Sequence, residues 1–99
     1  MENEIAVSHL QASGAPIERV QMGVRMEKRM VKVLKGLAEY HDLTLGDLFE
    51  GIVLHVFASR LPFDEESLRK IAQLKEVYGM DYGVEMSHRL TEKNRNGRA

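Results

Sequence analysis

The chain contains no cysteine and no tryptophan. Without cysteine, disulfides are excluded and a zinc finger loses its usual ligands. Three Phe and three Tyr are the whole aromatic complement, so few large side chains are available to fill a core. Proline occurs twice, at Pro16 and Pro62, and both positions read as boundaries. Long apolar runs are missing as well. The most apolar stretch, Phe49 to Ala58, is interrupted by Glu50, Gly51 and His55 and is far too short to cross a bilayer. The opening MENEIAVSHL lacks both a basic start and an apolar run long enough for a signal peptide. These absences lead us to expect a soluble, cytoplasmic protein with no membrane partner.

What is present has the balance of a globular domain: 43% hydrophobic and 29% charged residues, enough of the latter to solvate a surface. Ninety-nine residues make one domain's worth of chain. A chain so short is hard to stabilise alone, and the usual supports are disulfides, metal or oligomerisation. With the first two disfavoured, oligomerisation is the natural remedy.

The net charge of −1 argues against nucleic acid, but its distribution does not. Residues 19–41 carry Arg19, Arg25, Lys28, Arg29, Lys32 and Lys35 against Glu27 and Glu39, six cations against two anions for a net +4. Residues 1–18 carry Glu2, Glu4 and Glu18 and no cation. Local fields of this kind matter more for binding than the sum.

Residues 1–18 read as an arm with little regular structure. From Arg19 the order RVQMGVRM alternates strictly, with Val20, Met22, Val24 and Met26 on one face and Arg19, Gln21, Gly23 and Arg25 on the other. Period two over four apolar residues predicts a half-buried strand. A lone strand cannot satisfy its own backbone, and no second strand signal appears nearby, so the expected partner is the same strand of another copy.

After Met26 the period becomes helical. Met30, Val33, Leu34, Leu37, Ala38 and His41 share a face opposite Lys28, Arg29, Lys32, Lys35 and Glu39, predicting a helix from about Glu27 to His41. Asp42-Leu43-Thr44 breaks it, and Thr44 is a good N-cap for a second helix. There Leu45, Leu48, Phe49, Ile52, Val53, Val56 and Phe57 form a stripe wide enough to be buried on two sides. Gly51 would allow close approach at a helix crossing. Residues 59–62 end this helix, and a helical extension follows over 62–90. Asp64 caps its main helix, Glu65 and Glu66 favour the positive end of the dipole, and Phe63 can staple to Leu68. Leu68, Ile71, Leu74 and Tyr78 continue it to a stop near Gly79. A short helix around Tyr82–Leu90 and a disordered cationic tail over 91–99 complete the reading.

A strand of alternating apolar residues, a helix of about four turns, a short turn with a capping Thr and a second buried helix resemble, over residues 19–57, the ribbon-helix-helix family of Arc- and MetJ-like repressors. The resemblance implies a mainly α fold with one short β-strand: an intertwined homodimer with a two-stranded antiparallel ribbon, here over residues 19–58, plus a C-terminal helix. It places the ribbon in the DNA major groove. Gln21, Gly23 and Arg25, with Arg19 at the edge, would face the bases, since Gln suits adenine and Arg suits guanine. Gly23 leaves the middle reading position blank. Thr44, Leu45 and Gly46, at the amino end of the second helix, would hold phosphate, with Lys28 and Arg29 offsetting Asp42 and Asp47. The dimer core would comprise Val20, Met22, Val24, Met26, Leu34, Leu37, Leu48, Phe49, Ile52, Val53 and Val56.

Catalysis and metal binding find little support in the chain. His9, His41, His55 and His88 match no compact ligand spacing. Ser8-His9 and Ser87-His88 are sequence neighbours, which does not aim a base at a nucleophile. Asp64-Glu65-Glu66 is explained by the helix start. We therefore expect no enzyme, no cofactor and no metal. The leading expectation is a homodimeric, sequence-specific DNA-binding transcriptional regulator, with a possible tetramer formed through the third helix. The alternative is a protein-interaction or dimerisation module, antitoxin-like, that docks a partner through residues 62–90.

Overall fold

In the computed structural model, residues 15–93 are described, and the first part of the expected arm (1–14) and the end of the expected tail (94–99) lie outside them. Three helices follow one another: α1 (Lys28–Tyr40), α2 (Leu45–Phe57) and α3 (Glu65–Tyr78). A single 3-10 turn, Val84–Met86, comes after α3 where a short helix was expected.

Each helix begins on a side chain that accepts from its own free amides. Glu27 accepts from the backbone N–H groups of Arg29 and Met30, Thr44 from that of Asp47, and Asp64 from that of Ser67. Such caps satisfy donors that the helix itself leaves open. The ends are also alike. Asp42, Ser59 and Gly79 each follow the last turn with φ between +56 and +69°. In each case the next residue's N–H returns to a carbonyl five residues back: Leu43 to Ala38, Arg60 to His55 and Met80 to Lys75. This closure caps the carbonyl end. Glycine enters the left-handed region freely, whereas Asp42 and Ser59 do so at a steric cost.

The core sits where α1 meets the other two helices. Val33, Leu37, Ala38 and Leu48 are buried, and Leu37 is the most enclosed at 1% exposure. Leu34, Leu45, Ile52, Phe63, Ile71 and Leu74 pack around the cluster. The contact of α1 with α3 is the more extensive of its two helix contacts. A Cβ added at Gly36 of α1 would lie 2.9 Å from a terminal carbon of Leu74, so these helices approach closely there. Gly51, expected to serve such a crossing, has nothing within 4 Å of the same position. Phe63 turns toward the core while Leu68, its expected staple partner, stays largely exposed.

The ribbon-helix-helix expectation is corrected at its first element. Among the described residues there is no strand and no sheet, hence no ribbon. Residues 19–26 run without regular structure and make no backbone hydrogen bond to another described residue. The physical reason is that a period-two pattern specifies which side chains share a face but cannot supply the hydrogen-bonded neighbour that turns an extended segment into a strand. A second difference concerns α2, expected to be buried on two sides. Leu48 is its one buried residue, and Val53, Leu54, Val56 and Phe57 are exposed.

Candidate interaction surface

The residues expected to face DNA bases lie on the segment before α1, and their surroundings limit what they can do. Arg19 donates from Nε and one terminal nitrogen to the two carboxylate oxygens of Glu50, both at 2.9 Å. This fork holds the Glu50 carboxyl below its ordinary range and raises the Arg19 guanidinium further. Arg25 is paired in the same two-pronged way with Glu92. Gln21 is exposed, and Gly23 has open space around it. Thus both arginines of the expected reading face already carry a carboxylate.

The expected phosphate residues divide. Arg29 donates to Glu27 at 3.1 Å, to the Gly79 carbonyl at 2.8 Å and to Asp81 at 3.3 Å, and its guanidinium lies 5.5 Å from the centre of the Tyr82 ring. These bonds tie the start of α1 to the end of α3. Lys28 is exposed and makes no ion pair with a described residue. At the start of α2 the Thr44 hydroxyl already accepts the Asp47 N–H at 3.1 Å, Leu45 is half-buried and Gly46 is open. Asp47 adds a negative charge in that first turn.

The expected dimer-core residues also split, along a line the spacing did not draw. Leu37 and Leu48 are buried within the chain, and Leu34, Phe49 and Ile52 are partly covered. Val20, Met22, Val24, Val53 and Val56 are well exposed, and Met26 is marginally so. Leu54 and Phe57 extend the α2 part of this surface, and Phe57 reaches 81% exposure. The Arg19–Glu50 fork fastens the start of the extended segment to α2.

Two of the histidines, His41 and His55, are occupied locally. His41 Nε2 lies 2.9 Å from the buried Ser67 hydroxyl, and His55 Nδ1 donates to the Gly51 carbonyl at 2.7 Å. Among the described residues, no three His, Asp or Glu side chains stand close enough together to hold a metal ion. Also among them, no helix is long and apolar enough to cross a membrane.

Sequence reasoning missed the cluster of Glu27, Arg29 and Tyr82. Glu27 accepts from the Tyr82 hydroxyl at 2.5 Å while capping α1 and pairing with Arg29. Its carboxyl is held down to about 2, first by the Tyr82 bond and then by the bonds from Arg29. The signal available was slight: a Tyr beyond the third helix needs a partner for its hydroxyl when partly buried, but nothing in its spacing names Glu27. No protein-family model, no curated protein and no solved structure matches this chain.

Proposed function

We propose that this chain is a self-associating interaction module in which a second copy covers the exposed face of α2 together with the apolar row before α1. The observation that carries the reading is the exposure of Val53, Leu54, Val56 and Phe57 on a helix whose opposite side enters the core. Neighbouring apolar side chains left exposed on one helix are a feature of association sites. The small core supports the same conclusion: four buried hydrophobic residues among those described, and no disulfide, leave a short chain in need of further burial. A requirement of that sort is met most directly by another copy of the same chain, present wherever it is made. If folding and association are linked, the urea midpoint rises with protein concentration. A midpoint independent of concentration would contradict the reading.

A second reading, binding of double-stranded DNA by the associated chains, is favoured by one observation. Gln21, Arg25 and Lys28 are exposed within a single short stretch of the +4 segment. Exposed ion pairs such as Arg25–Glu92 contribute little to stability, and a phosphate can take the place of the carboxylate. Regulation of transcription would follow from such binding if it is sequence-specific. Anisotropy of a labelled duplex at low and high salt tests it, and absence of binding at low salt would exclude it.

A further inference from the structure

A second apolar region lies between α1, α3 and the segment that follows α3. Met30 and Leu34 of α1, Ile71 of α3, and Met80 and Met86 of the following segment line a groove of about 530 Å³. That volume lies within the range of small-molecule sites, which are typically apolar with a few placed polar groups. Here the main charged group is Lys75, on the last turn of α3. Lys75 makes no ion pair with a described residue. The nearby Glu85 carboxylate is held by the Gly83 N–H at 2.8 Å. The Tyr82 hydroxyl, also in the lining, is already committed to Glu27. Methionine side chains are flexible and polarisable and adapt to an unbranched chain.

We propose that this groove binds a medium-chain aliphatic carboxylate, with the hydrocarbon against Met30, Met80 and Met86 and the carboxylate on Lys75. An apolar trough lined by Lys75, which makes no ion pair with a described residue, complements an apolar tail carrying one negative charge. A neutral ligand of equal length would leave that cation unused.

The six methionines provide the test. With methyl-labelled methionine, NMR follows the groove through Met30, Met80 and Met86, while Met22 lies outside its lining. Decanoate, added below the concentration at which it forms micelles, should give saturable shifts confined to the three groove methionines. Decanol should bind about tenfold more weakly, the worth of one charge-assisted hydrogen bond. Lys75→Gln should remove that preference while keeping residual binding, and Glu85→Gln should strengthen decanoate binding by removing a competing anion. Absence of saturable shifts, equal binding of decanol and decanoate, or shifts equally large at Met22 would overturn the proposal. Shifts of the groove methionines that follow protein concentration and not decanoate would assign the groove to a second copy, and would also overturn it.

Discussion

The Tyr82 hydroxyl donates to the Glu27 carboxylate at 2.5 Å, joining the segment beyond α3 to the residue that caps α1. The two groups shift in opposite directions. Glu27 falls from 4.5 to about 2, chiefly through the Tyr82 bond. Tyr82 rises from 10.0 to about 12, first through burial and then through the same bond.

The signs give a pH window. A depressed carboxyl stabilises the fold above its unfolded value, so Glu27's contribution is full above about pH 4.5 and lost as pH falls toward 2. A raised phenol has its contribution intact below its unfolded value, so Tyr82's is lost as pH rises from 10 toward 12. Acid should remove roughly 2 kcal/mol through Glu27, with the half-buried setting reducing the full linkage value. Tyr82→Phe should cost about 1 kcal/mol near neutral pH and raise the Glu27 pKa. Urea unfolding across pH, with NMR titration of Glu27, checks both. An unchanged Glu27 titration in Tyr82→Phe would show that the bond does not cause the shift.

Gly36 of α1 packs closely against the Leu74 side chain of α3. Alanine there gains up to about 1 kcal/mol of helix propensity but pushes on the flexible end of Leu74. The net change should stay within about 1 kcal/mol of zero. Gly36→Leu has no such escape and should destabilise by about 2 kcal/mol or more. Chemical denaturation of both variants gives the comparison, and a stable Gly36→Leu protein would mean that the helices can separate at this point.

The helices were legible because their signals are local. Thr44, Asp64 and Gly79 mark helix ends by chemistry that acts within one turn, and the structure uses all three in that way. The alternation from Arg19 to Met26 predicts a strand, but a strand depends on a neighbour that the chain itself does not name. Contacts distant in sequence escaped for the same reason. The Arg19–Glu50 fork and the Glu27–Tyr82 bond span 31 and 55 positions, and no spacing rule links such residues. The placement of Gly51 in open space, and of Gly36 at the crossing, turned on which face of each helix met a partner. The candidate surface was legible in its residues but not in its exposure, since the α2 stripe is equally apolar whether covered by its own chain or by another.

Phe57 and Leu54 are exposed within one chain, so replacing either with Glu should leave the chain's own packing intact. In an associated state both would bring charge into an apolar contact. Phe57→Glu should therefore weaken self-association by about 2 kcal/mol or more, seen as a shift toward monomer by light scattering. Gln73→Ala, at an exposed position of α3, serves as a control and should leave association unchanged.

Arg25 offers the sharpest check on DNA binding. If the segment before α1 contacts duplex DNA, Arg25→Ala should weaken binding at low salt and reduce the salt slope by about one. Glu92→Gln, which frees Arg25 from its carboxylate, should strengthen it. Identical binding by all three proteins would place any DNA contact elsewhere.

Sedimentation equilibrium over a wide range of protein concentration tests self-association most directly. Coverage of the α2 face by a second copy predicts twice the 11.3 kDa chain mass in the folded protein, with monomer emerging only on dilution or in Phe57→Glu. A folded 11.3 kDa species at every concentration would contradict it.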